Sequence, residues 1–243
     1  MRSEETIDEL RAYGLKVIQQ RHGYRFSLDP LLLCDFAGIR EGERVIDLGT
    51  GCGVIPLILA GKVREMQAVG VEMQEEMAEL SVRNVALNTL SDKIAILCKD
   101  ITALKGHFPA SSFDLVVSNP PYRKRGTGRI SPKPGRDNAR HESTAQLSDF
   151  LAAAKYLVKP SGRICFIYHP SRMTEFFVEA SELKLSPIRL RMVHGNNSAE
   201  ARMFLIEIVK GRKGELKILP PLFVYDDNGG YAAEMDRIFG TGN

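Results

Sequence analysis

Asn119-Pro120-Pro121-Tyr122 stands at the end of the apolar run Phe113-Asp114-Leu115-Val116-Val117. A strand that ends this way offers two hydrogen-bond acceptors, the Asn119 side-chain oxygen and the Pro120 carbonyl, beside the flat ring of Tyr122. Proline fixes φ and removes a donor, so Pro120 and Pro121 hold those acceptors rigidly. An aromatic exocyclic amine is a poor nucleophile because its lone pair is delocalised into the ring. Two acceptors aimed at its hydrogens pull the nitrogen towards tetrahedral geometry and turn the lone pair outwards. Tyr122 can stack on such a base, which is worth roughly 1–3 kcal/mol. Asn119, Pro120 and Tyr122 are therefore the candidate catalytic residues, and the chemistry they suit is transfer to a planar amine held still. A plain proline turn is the alternative for Pro-Pro taken alone.

The electrophile needs its own cradle. Val45-Ile46-Asp47-Leu48-Gly49-Thr50-Gly51-Cys52-Gly53 runs a strand into a turn with glycine at alternate positions. Gly49, Gly51 and Gly53 permit a tight turn and let the backbone approach a ligand closely. A dinucleotide fingerprint would place its third glycine at position 54, which is Val54, so NAD is disfavoured. Asp47, Glu72 and Asp100 then fall at the carboxyl ends of three consecutive strands, where open α/β sheets bind their ligands. Glu72 can accept both hydroxyls of a ribose there. A helix cap or a solvated turn is the competing reading of any one of these acids.

The elements that position these residues follow from strand–helix alternation. Strands are expected at 45–48, 67–72, 94–98, 115–118 and 163–168, with helices at 54–60, 74–87, 143–157 and 171–183. Such alternation argues for a parallel, doubly wound sheet with helices on both faces. Residues 187–193 and 201–209 leave no room for a helix between them and should pair antiparallel. The expected fold is thus α/β, with a seven-stranded, mainly parallel sheet closed by a C-terminal hairpin. Ahead of it, residues 15–20 and 24–26 flank Arg21-His22-Gly23 and read as a short hairpin. Asp29-Pro30 has the form of an N-cap followed by proline, opening a helix that ends near Gly38. The tail from Leu219 to Asn243 reads as a loop with one short terminal helix.

Composition narrows the class. The 243 residues suffice for one sizeable core, and apolar and charged fractions of 44% and 26% are those of a soluble globular chain. Cys34, Cys52, Cys98 and Cys165 lie far apart without metal-type spacing and read as reduced thiols of a cytoplasmic protein. No signal peptide, membrane span or metal site is expected, and the five histidines form no ligand cluster. The net charge of +3 is modest, but its distribution is not. Residues 123–141 carry Arg123, Lys124, Arg125, Arg129, Lys133, Arg136 and Arg140 against Asp137 alone. A basic segment beside the acceptor turn can neutralise several phosphates and guide a strand to the site. A solvated charged loop is its plainer alternative.

From about Arg44 to Val209 the chain resembles the class I S-adenosylmethionine-dependent methyltransferases, and 47–53 is similar to their first motif. The resemblance implies a Rossmann-like fold and S-adenosylmethionine as cofactor. It places Asp100 on the cofactor's adenine amino group and Asn119 at the methyl-bearing sulfonium. The tetrapeptide is similar to the signature of amino methyltransferases acting on adenine, guanine and protein glutamine. Gly23 to Leu33, the tetrapeptide and Ala139-Arg140-His141-Glu142 together resemble the bacterial tRNA adenine methyltransferases that modify the exocyclic amine of adenine 37 in valine tRNA. That likeness spans nearly the whole chain, including the tail around Tyr225 and Tyr231.

It implies that Tyr24 to Leu33 fold over the cofactor, with Phe26 and Asp29 in a lid. It also implies a tRNA anticodon loop as partner, where a base can be splayed into a pocket. Asp29 as a helix cap stays open beside the lid role. The expected organisation is one methyltransferase domain over 1–243, with 1–40 covering the cofactor site and 123–141 as the basic substrate loop. Monomer and homodimer stay equally open. The glutamine methyltransferases of peptide release factors share the tetrapeptide but need a helical domain before the core. Guanine-modifying ribosomal RNA enzymes usually carry Phe in place of Tyr122. A catalytically silent RNA-binding subunit is opposed by Asp47, Glu72, Asp100 and Asn119 all being present.

Overall fold

Runs of Val, Ile and Leu bounded by glycine turns make strands buried on both faces, and such strands pair in parallel. In the computed structural model, which describes residues 4–21, 25–121, 145–211 and 214–240, they form the centre of one sheet. Its central strands are β3 (Arg44–Leu48), β4 (Gln67–Glu72), β5 (Ile94–Cys98), β6 (Phe113–Ser118) and β7 (Val158–Tyr168). They are followed by β8 (Leu185–His194), β9 (Ala201–Lys210) and the two-residue strands β10 (Lys217–Ile218) and β11 (Leu222–Phe223). The order across the sheet is β10-β8-β9-β7-β6-β3-β4-β5, with β11 also on the edge of β8. β3 to β7 are mutually parallel, and β9 runs antiparallel to both β7 and β8. The seven expected strands and the closing hairpin are all present.

Side chains alternate across the sheet and feed two cores. Val45, Leu115 and Val117 pack with α1 (Asp29–Ala37), α2 (Val54–Lys62) and α3 (Glu75–Leu87). Ile46, Leu48 and Val116 pack with α4 (Leu147–Leu157) and α5 (Met173–Glu182). A short α6 (Ala233–Phe239) ends the described chain, as expected of the tail.

Several boundaries depart from expectation. β7 begins at Val158, five residues early, because Val158 pairs with Phe113 across a register irregularity that also brings Lys159 to Asp114 at 2.7 Å. The tail adds β10 and β11 as separate stubs, since Pro220-Pro221 between them lacks the N–H groups a continuous edge strand needs. The N-terminal hairpin pairs β1 (Glu5–Leu10) with β2 (Leu15–Gln20), not 15–20 with 24–26. Its turn is Arg11–Tyr13 closed by Gly14 at φ +63°.

That hairpin is fastened to α3 by side chains that complete its open edge. Asn84 accepts from the Ile18 N–H at 2.6 Å and donates to the Ile18 carbonyl at 3.1 Å. Asn88, one turn on, does the same for Lys16 at 2.9 and 2.7 Å. Arg83 adds a bidentate pair to the buried Glu5 at 2.6 and 2.7 Å. The hairpin in turn places the segment that opens α1 over the carboxyl end of the sheet.

Candidate active site

β3 and β6 are paired with Asp47 opposite Val117, so the two chains leave the sheet together at Gly49 and Asn119. The buried Ser118 hydroxyl donates to the Leu48 carbonyl at 2.7 Å and locks that exit. The glycine turn is folded back onto β4 by Gly49 and Thr50 N–H groups, which donate to the Val71 carbonyl at 2.9 and 2.8 Å. Gly49, Gly51 and Gly53 stand at φ +77°, +57° and +81°, the left-handed region where a side chain is strained.

A cavity of about 680 Å³ opens over these strand ends. Of the residues singled out in the sequence, Phe26, Asp29, Gly49, Gly51, Glu72, Asp100, Asn119 and Pro120 line it. Glu72 is buried: one carboxylate oxygen accepts from the Gly51 N–H at 2.9 Å and the other from the Gln74 N–H at 3.0 Å. Each oxygen keeps a second lone pair for a ligand hydroxyl. Asp100 caps the 3₁₀ turn Ile101–Gly106, with Oδ1 accepting from the Thr102 N–H and hydroxyl, both at 2.8 Å. The capping reading holds for Asp100, and it orients the carboxylate at the cavity wall rather than competing with it. Asp29 does not cap α1: the N-cap is Leu28, and Asp29 is the first helical residue, ahead of Pro30.

Two expected cofactor residues lie off the cavity wall. Asp47 is 1% exposed beneath the turn, and neither carboxylate oxygen has a hydrogen-bond partner. Burial drives its carboxyl up to about 7, and the neighbouring Glu72 charge adds to the rise. Gly53 is required by packing: a Cβ there would collide with the Ser81 hydroxyl of α3. Tyr122 and the basic residues Arg123, Lys124, Arg125, Arg129, Lys133, Arg136 and Arg140 lie outside the described residues.

The segment 25–30 is held over the cavity by polar contacts to the hairpin. Gln19, 2% exposed, accepts from the Phe26 N–H at 2.9 Å and donates to Asp8 at 2.5 Å. Arg25 donates to the same Asp8 oxygen at 2.6 Å and to the Thr6 hydroxyl at 3.0 Å. The cavity also takes Met77, Phe150, His169 and Ser171, none of which carried a sequence signal. Met77 and Phe150 sit on apolar helix faces that read as core; His169 and Ser171 reach the cavity only through the register of β7. Among the described residues no group of His, Cys, Asp and Glu could hold a metal, and no helix is long and apolar enough to cross a membrane.

The model of a methyltransferase domain matches residues 39–218. A tRNA1(Val) (adenine(37)-N6)-methyltransferase of Porphyromonas gingivalis is 32% identical over 189 residues, covering 75% of this chain and 73% of that protein. One from Aeromonas salmonicida is 28% identical over 216 residues, covering 87% and 89%. Among solved structures, a protein described as a predicted O-methyltransferase from Agrobacterium tumefaciens matches with a TM-score of 0.73 at 20% identity, covering 88% of this chain and 97% of that one. TrmN from Thermus thermophilus matches with a TM-score of 0.57 at 22% identity, covering 75% and 48%. These two likenesses establish the fold, and the domain match makes the protein a methyltransferase. With a relative above 30% identical across three quarters of its length, the chain belongs to the tRNA1(Val) (adenine(37)-N6)-methyltransferase family.

Proposed function

We propose that this enzyme methylates the exocyclic N6 amine of adenine in a tRNA anticodon loop, adenine 37 of valine tRNA, in the cytoplasm. The observation that carries the reading is the joint exit of Gly49 and Asn119 from paired strands into one cavity. S-adenosylmethionine, when bound, supplies a methyl group already activated on a sulfonium. Its fit is supported by a turn whose left-handed glycines bring backbone to the wall and by two acids with lone pairs to spare. Glu72 accepts from the ribose hydroxyls, Asp100 accepts from the adenine amino group, and Gly49 and Gly51 let the backbone approach. Asp47 supports that turn from below.

Phe26 and Asp29 cover the cofactor from the N-terminal side, which makes residues 1–40 its cover within a single domain. On the acceptor side, the Asn119 side-chain oxygen and the Pro120 carbonyl accept from the two amine hydrogens. They hold the nitrogen tetrahedral, and the rest is positioning. Tyr122 stacks on the base, and the basic residues of 123–141 bind phosphates of the RNA.

Incubating the protein with tRNA and isotopically labelled cofactor, then analysing nucleosides by mass spectrometry, tests this. Labelled N6-methyladenosine is expected. Label on a peptide release factor instead would move the assignment to glutamine, and none on either substrate to a silent RNA-binding subunit.

A further inference from the structure

The acceptor half of the cavity has a wall that the tetrapeptide does not supply. β6 and β7 pair with Ser118 opposite Phe166, so Pro121 and His169 each lie three residues past that pair, just beyond the ends of the neighbouring strands. Both line the cavity, and Ser171 lines it beside them. His169 caps the short turn Pro170–Arg172, where the Ser171 N–H donates to its Nδ1 at 3.2 Å and the Ser171 hydroxyl lies 2.8 Å from the same atom.

A backbone N–H can only donate, so Nδ1 carries the lone pair and the ring proton sits on Nε2. The tautomer is thus set by the turn rather than by a ligand. Asn119, Pro120 and His169 line the same cavity, the first two able to accept and the third, in this tautomer, able to donate through Nε2. Adenine offers the complement: an amine with two hydrogens, flanked by the ring nitrogens N1 and N7 with their lone pairs. Guanine offers an acceptor on one side of its exocyclic amine only, because N3 keeps its lone pair while N1 is protonated, and a glutamine side chain has no ring nitrogen at all.

Resting on the adenine reading above, we propose that His169 is a specificity residue whose Nε2–H donates to the ring nitrogen flanking the target amine. Ser171 is a positioning residue that fixes the imidazole.

The test uses tRNA carrying adenosine, 1-deazaadenosine or 7-deazaadenosine at the acceptor position, with kcat/KM measured for the parent enzyme and for His169→Ala. Intrinsic differences in amine reactivity cancel between the two proteins. For the parent, one of the two analogues should lose about three- to tenfold more than it does with His169→Ala, the scale of one hydrogen bond. Ser171→Ala should show a smaller version of the same loss of discrimination. His169 is exposed and caps only a three-residue turn, so its variant should lose no more than a few degrees in melting temperature, which separates this effect from misfolding. Equal analogue penalties in parent and His169→Ala, or none in either, overturn the proposal while leaving adenine methylation intact. Absence of any methylation of the adenosine substrate overturns the adenine reading itself, and His169's role with it.

Discussion

Asp47 is fully enclosed beneath the glycine turn, and its carboxyl titrates near 7 rather than at the ordinary 3.8. The folded state therefore holds a proton that the unfolded chain has already released between those values. Stability falls as pH rises through that window, and the cost is fully present above about 7. A shift of this size corresponds to roughly 4 kcal/mol at most. Asp47→Asn should thus be more stable than the parent in ligand-free thermal melts at pH 8, with the gap closing below pH 4. A gap independent of pH would show that the carboxylate is ionised and solvated. Glu72 faces the cavity and is held by two backbone donors. Glu72→Ala should raise the cofactor Kd by about ten- to a hundredfold, the scale of hydrogen bonds to a charged acceptor, as read by calorimetry. Asn119→Ala should leave that Kd nearly unchanged while lowering kcat by about a hundredfold or more, in line with losing one preorganised polar group at a reacting centre. Near-normal turnover by Asn119→Ala would remove the tetrapeptide from the chemistry.

The same division between ligand and acceptor runs through the elements. The sheet centre was legible because buried parallel strands read as unbroken apolar runs, and β4 and β5 fall at 67–72 and 94–98 as expected. The acids and the glycine turn were legible for a related reason, since a strand end fixes where its next residues point. The hairpin was not. Glu5–Leu10 is mostly polar, its Ile7 is 43% exposed, and its one buried residue is the paired Glu5, so apolar alternation gives no signal. Its attachment through Asn84 and Asn88 depends on tertiary register, which no spacing within either segment encodes. The roles of Asp8 and Gln19 were hidden in the same way. Asp8 collects Gln19 and Arg25 and so holds the strap bearing Phe26 over the cavity. The Asp8–Arg25 pair is partly exposed and adds little by itself, but Asp8→Ala also leaves the buried Gln19 amide without its acceptor, so the melting temperature should fall by only a few degrees. The substitution should nonetheless raise the cofactor Kd about three- to tenfold, the scale of ordering one or two side chains on binding, and leave the KM for RNA alone. Unchanged cofactor affinity in Asp8→Ala would mean that the strap is held by its apolar contacts and not by this network.

At the scale of the whole molecule, the charge balance decides where RNA can bind. Residues 123–141 hold seven of the 33 Lys and Arg but one of the 30 Asp and Glu, so the remaining chain carries three more acids than bases. A protein of that balance has no general affinity for a polyanion, and most of its attraction must come from this one segment. The segment follows directly on the acceptor turn, and that sequence position ties phosphate binding to delivery of the base. Each phosphate neutralised on a single strand contributes about 0.7 to the slope of log K against log salt. Replacing Arg123, Lys124 and Arg125 by Ala should therefore reduce that slope by about two and weaken RNA binding most at low salt. Methylation of a short unstructured RNA should suffer as well, because the loss is electrostatic rather than a loss of tRNA shape. A slope that stays the same after the triple replacement would return the segment to a solvated surface, and the acidic remainder of the molecule would then have to bind RNA without a basic footprint.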